Sequence, residues 1–104
     1  MARYVGPDAL QPTPTRASVL GEFGGLGFLV EGHQWIPGDS FNYEMQATQE
    51  QLEVRYLGLV GGLRQLVTDP DRCLSAAVYT ELTDVEAEVN GWLTYDRSVN
   101  KMLV

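Results

Sequence analysis

One strong helix signal lies between two apolar runs of strand length, and this order constrains the fold more than any other feature. Thr48-Gln49-Glu50-Gln51 puts a hydroxyl at an N-cap and a glutamine three positions later, the pattern of a capping box. Leu52, Tyr56, Leu59, Val60, Leu63 and Leu66 then recur at three- and four-residue spacing, which is one buried face of a helix. Thr68-Asp69-Pro70-Asp71 stops it. Before it lies Ala17 to Glu22 and after it Leu74 to Thr80, each short and apolar enough for a strand. Strand, loop, helix, strand is a βαβ unit, so an α/β fold with parallel strands and one main helix is predicted. Gly58, Gly61 and Gly62 cost that helix roughly 1 kcal/mol each relative to alanine. Close packing against the sheet is the role expected of them.

The remaining segments read as connections. Ala2 to Arg16 carries Pro7, Pro12 and Pro14 and is expected to be an extended loop. Phe23 to about Ala47 reads as one long loop holding Gly24, Gly25, Gly27, Gly32 and Gly38, and a loop that long in a small domain is usually functional. Glu81 to Gly91 alternates acidic and apolar residues, predicting an extended segment with one solvated face, and a tail is expected from Ser98. Two parallel strands and one helix leave two open sheet edges and an uncovered face, although parallel sheets are normally buried on both sides. The layout therefore predicts a slice of a larger domain.

Composition closes off several classes. The 104 residues carry a formal net charge of −7, and the seven basic residues form no patch, so nucleic acid and anionic membrane surfaces are disfavoured as partners. Cys73 is the single cysteine, which excludes an internal disulfide or a thiolate zinc cluster and predicts a small apolar filler beside a strand. No apolar run approaches a membrane span and no signal-peptide layout opens the chain, so a cytoplasmic location is expected.

The chemistry-bearing feature is Ala17-Ser18-Val19-Leu20-Gly21-Glu22-Phe23-Gly24-Gly25-Leu26-Gly27. An apolar run ends in a single carboxylate, followed by a glycine turn through which backbone can approach a ligand. The carboxyl ends of strands are where α/β barrels and open α/β sheets place their chemistry. Taken alone, Glu22 reads as a turn carboxylate satisfied by backbone donors.

Three stretches add a resemblance. Val19 to Gly27, Glu31-Gly32-His33-Gln34-Trp35, and Ser75 to Thr80 continuing through Thr83-Asp84-Val85-Glu86, Val89-Asn90-Gly91 and Thr94-Tyr95-Asp96-Arg97 resemble family 2 glycoside hydrolases of the β-galactosidase/β-glucuronidase-like kind. Tyr4-Val5-Gly6-Pro7 resembles the loop before that strand. The resemblance implies that residues 1–104 are the C-terminal part of a catalytic TIM (β/α)8 barrel. The two strands would be strands seven and eight of that barrel, the last two βα units. It makes Glu22 the nucleophile of a retaining β-glycosidase acting on carbohydrate. The acid/base of that family is an Asn-Glu pair at the end of strand four, and no Asn-Glu dipeptide occurs here. The chain by itself is accordingly expected to be inactive, and no cofactor is implied.

Retaining glycosidases hold two carboxyls about 5–5.5 Å apart, one attacking the anomeric carbon and the other acting as acid and then base. Glu81, where the family commonly has glutamine, is the local candidate for a second carboxyl. It either sits beside Glu22 as a like charge, raising one pKa of the pair, or turns to solvent, and a solvated or only modestly perturbed arrangement is expected. Trp35 either stacks on a sugar or anchors its loop. His33 reads as a loop hydrogen-bonder rather than a metal ligand. Tyr79 and Asn90 are rim contacts on the resemblance alone. Asp84, Glu86 and Glu88 fail as a calcium loop, because Arg97 stands at the twelfth position where a bidentate glutamate is needed. Two other roles stay open. One is a module that docks on a complementing barrel fragment; the other is a structural remnant that forms a homo-oligomer over its open faces.

Overall fold

The capped helix and the two strands form where the residues ask for them. In the computed structural model, which describes residues 6–102, β1 spans Ser18–Gly24 and β2 Leu26–Gly27. Then come β3 at Glu44–Met45, α1 at Gln49–Thr68 and β4 at Leu74–Thr80. Thr48 Oγ1 accepts the Gln51 amide at 3.1 Å, and the Gln51 side chain reaches back to the Ala47 amide at 3.2 Å. The box therefore closes one residue earlier than the usual reciprocal pair. At the other end, the extended Asp69 caps the helix and donates its amide to Gln65 O.

β1 and β4 are neighbours and run parallel, as a crossover through α1 requires. The chain is thus a small α/β unit with one helix and short parallel strands. The expected long loop after β1 is broken by structure, since β2 pairs in parallel with β3. Gly24 and Gly25 make that path possible. Both have positive φ, and a Cβ on either would run into an aromatic ring, Tyr79 for Gly24 and Tyr43 for Gly25.

The core lies on the helix side of the sheet. Phe23, Leu26, Leu52, Leu59 and Met102 are buried together, with Leu20, Tyr56, Leu63, Tyr79 and Trp92 packed around them. Edge-to-face contacts join Phe23, Tyr56, Tyr79 and Trp92 at ring-centroid distances of 4.9 to 5.7 Å. The opposite face of the sheet is open: Val19 is 56% exposed and Val78 55%. The radius of gyration is 15.0 Å, where a compact chain of this length would have roughly 13 Å. The excess follows from an elongated body measuring 49 × 23 × 23 Å.

Several local expectations change. Gly58 and Gly61 face open space, and only Gly62 is approached, by the Pro7 ring. Those glycines therefore do not pack on the sheet, which the helix meets through its leucine and tyrosine face instead. Cys73 is exposed at a positive-φ turn just before β4, not a filler beside it. Residues 81–91 are not an extended strip. Val85 and Glu88 exchange backbone hydrogen bonds across a tight turn, which leaves Val85 exposed and buries Asp84. The expected tail from Ser98 turns inward, and Lys101 and Met102 are buried. Tyr4 and Val5 lie outside the described residues. Among the described residues no helix is long and apolar enough to cross a membrane.

Candidate functional site

Glu22 sits in a β-bulge. Leu20 pairs with Ala77 and Phe23 with Tyr79, so Gly21 and Glu22 together oppose Val78. A bulge bends its strand and re-aims a side chain, and such bulges cluster beside active sites. Here it leaves Glu22 exposed two residues before the carboxyl end of β1, while the flanking Leu20 and Phe23 pack into the core. Among the described residues Glu22 makes no hydrogen bond or ion pair, including with any other predicted site residue.

The loops that follow β1 and β4 meet each other. Phe28 donates its amide to Val89 O at 3.1 Å, and Phe41 and residues 87–89 form a parallel bridge with bonds of 2.7 and 2.8 Å. His33 Nδ1 contacts Asp96 Oδ2 at 2.7 Å. The Thr94 hydroxyl, His33 and the Ser98 amide hold the Asp96 carboxyl well below the usual carboxylate range. Trp35, 53% exposed, packs edge-to-face on Tyr95 at 5.4 Å. His33 and Trp35 thus bind their loop to the 94–98 turn, with part of the indole left exposed.

Tyr79, Glu81 and Asn90 lie deeper than a rim. The Tyr79 ring is part of the aromatic core, and burial pushes its phenol up to about 12. Asn90 is 0% exposed and donates Nδ2 to Glu88 Oε2 at 3.2 Å. The Thr80–Glu81 peptide bond is cis. Glu81 is half-buried, not solvated, and its carboxyl is pushed up to about 7. Burial is the largest cause, followed by the charges of Glu88 and Asp84. Glu22 is not among the main causes of that shift.

Beside this group lies an ion pair that the sequence reading missed. Lys101 Nζ donates to Asp84 Oδ1 at 2.7 Å and to Val89 O at 3.0 Å, with Lys101 0% exposed. The Gly91 amide is a second donor to Asp84 Oδ1, at 2.8 Å. Burial pushes the Asp84 carboxyl up and the Lys101 ammonium down, and their mutual contact opposes both shifts. The only available signal was one lysine following an acidic stretch, which nothing in periodicity marks as buried. Among the described residues no group of three or more His, Cys, Asp or Glu could hold a metal ion.

Two open cavities lie elsewhere. One of about 540 Å³ is lined by Gln46, Thr48, Glu50, Gln51, Val54 and Arg55, at the start of α1. Another of about 660 Å³ is lined by Asp8 to Gln11 and Arg72. No protein-family model matches the sequence, and no curated protein matches it either.

Proposed function

We propose that this chain is the carboxy-terminal part of a retaining β-glycosidase barrel, in which β1 and β4 are the last two strands and Glu22 is the nucleophile. The observation that carries the reading is the placement of Glu22. It is an exposed carboxylate on a bulge near the carboxyl end of one of two adjacent parallel strands, with both following loops gathered together. The open sheet face supports the partial-barrel component, because a parallel pair with Val19 and Val78 exposed lacks the cover such sheets normally have.

In that mechanism the Glu22 carboxylate attacks the anomeric carbon of a β-glycoside as the bond to the leaving oxygen breaks. A second carboxylic acid, from a polypeptide segment beyond these 104 residues, protonates that oxygen. It then takes a proton from the water that releases the sugar from Glu22. Trp35 offers an exposed ring face for the substrate, and His33 fixes the loop that carries it. Glu81 and Asn90 shape the adjoining turn from beneath rather than by contact.

The open sheet also favours a complementation module, docked on a barrel fragment made as a separate polypeptide. The two arrangements share one chemistry and one test. The chain alone should release no p-nitrophenol from p-nitrophenyl β-glycosides. Co-expression with the polypeptide encoded immediately upstream should give turnover that Glu22→Gln abolishes, and a 2-deoxy-2-fluoro-glycoside should label Glu22. Turnover by the isolated chain would overturn the fragment reading. An active complex indifferent to Glu22→Gln would overturn the nucleophile. A stable dimer in light scattering would point instead to a self-associating remnant.

A further inference from the structure

Residues 29–40 span the gap between two backbone anchorages. On one side Phe28 N donates to Val89 O at 3.1 Å. On the other, Phe41 N donates to Ala87 O at 2.7 Å, and Phe41 O accepts from Val89 N at 2.8 Å. Between the anchorages the backbone hydrogen bonds among the described residues are local: His33 N to Val30 O at 3.0 Å, and Asp39 N to Ile36 O at 3.1 Å. No residue from 29 to 40 is buried, and Leu29, Trp35 and Ile36 are exposed apolar side chains. A segment with few buried contacts and no long-range backbone ladder opens at a small fraction of the cost of global unfolding.

Among the described residues, one side-chain hydrogen bond and one ring contact tie the middle of this segment down. His33 Nδ1 meets Asp96 Oδ2 at 2.7 Å, and Trp35 packs edge-to-face on Tyr95 at 5.4 Å. The receiving turn is complete without them. Asp96 Oδ1 accepts the Thr94 hydroxyl at 2.6 Å and the Ser98 amide at 3.1 Å. Thr94 is itself buried; its Oγ1 accepts Val99 N at 3.2 Å, and Arg97 N donates to Thr94 O at 2.8 Å. Asp96 Oδ2 is therefore held in place independently of His33. An ionised carboxylate can only accept, so the proton of this contact sits on His33 Nδ1. Gly32 and Gly38 bracket the pinned stretch, both at positive φ and with open space where a Cβ would stand. They supply two bends at which residues 33–37 can turn without meeting a neighbour.

We propose that residues 29–40 are a latched strap. Its base stays bridged to residues 87–89, and its tip, residues 32–38, swings away from the 94–98 turn when the His33–Asp96 contact breaks. Trp35 leaves Tyr95 in the same step, since both pins sit on one short stretch. The strap follows β1 from its carboxyl end, so its movement changes access to that end of the strand pair. The device operates whether or not Glu22 is a nucleophile, because Glu22 takes no part in it.

Nitrogen-15 relaxation dispersion on the full chain reads opening on the microsecond-to-millisecond scale of lid motions. Exchange should appear across residues 29–40 and at the Trp35 indole. His33→Phe, which keeps a ring and removes the donor, should raise the open population by about two- to fivefold, the size of effect carried by one partly exposed ion pair. His33→Asn, whose amide nitrogen stands close to the place of Nδ1, should stay near wild type. Hydrogen-exchange protection of the Phe28, Phe41 and Val89 amides should be the same in all three proteins, which separates opening of the strap from loosening of the whole region. The proposal fails if residues 29–40 show no exchange in either the wild-type chain or His33→Phe. It fails as well if His33→Phe strips protection from the three anchorage amides, because the loops would then open as one body. If His33→Asn behaves as His33→Phe does, the contact at Asp96 is not the latch.

Discussion

The loops beyond the β1–β4 pair and the faces of the pair itself are finished to different degrees. Beyond the carboxyl ends, the loops are tied to one another by backbone bridges, a buried Lys101–Asp84 pair and the His33–Asp96 contact. Along the strands themselves, one face carries the aromatic core and the other leaves valines in water. Polar groups are costly to bury unpaired, and in these loops the buried Lys101 and Asp84 are paired with each other. Apolar strand faces carry no such local requirement. They can be covered only by another element, and none of the described residues supplies one.

Breaking the finished region should produce the largest effect. Lys101→Ala leaves Asp84 buried with only the Gly91 amide for company, and Val89 O loses its donor. Removing one partner of a buried pair typically costs about 3–5 kcal/mol, whereas replacing both by apolar residues is often near neutral. A urea midpoint should fall steeply for Lys101→Ala and recover for Lys101→Met combined with Asp84→Leu. Equal loss in single and double variants would mean that the pair contributes nothing beyond packing.

The capping box offers an effect of middle size and a link to what the sequence made legible. Thr48→Ala should cost about 1 kcal/mol, because it unpairs the Gln51 amide at the start of α1. Thermal unfolding measures this, and Thr48→Ser should recover most of it. That site was readable because a cap depends on residues three positions apart. The helix face, the β4 bounds and the parallel pairing were readable for the same reason: local periodicity and chain connectivity determine them. Lys101 was not, since its burial depends on a contact 17 residues away in sequence. Nor was the burial of Asp84 against the exposure of Val85. A strict alternation predicts the reverse, and a single turn with Glu86 at positive φ shifts the phase by one residue. For the candidate site, a strand carrying Glu22 was legible, but its continuation past Glu22 to Gly24 and the bulge at Glu22 were not, because both are properties of the register between two strands. The half-buried, raised Glu81 was likewise out of reach, since it reflects burial first and the charges of Glu88 and Asp84 after it, all set by the fold of the turn.

The smallest effect probes the unfinished face. Val19→Thr and Val78→Thr place hydroxyls on strand positions more than half exposed, so each should change the stability of the isolated chain by less than about 0.5 kcal/mol. β-branching is kept, so strand preference hardly changes. A complementing barrel fragment would change that result, because docking would bury both side chains and a hydroxyl carried into an apolar contact then costs about 1–3 kcal/mol. The measurement is a pair of denaturation curves, with and without the partner polypeptide. If the two valines prove silent in both, the open face is not where anything docks, and any partner must add at a strand edge instead. If they are silent alone and costly in the complex, the contrast between the two regions marks the surface along which this unit joins a larger sheet.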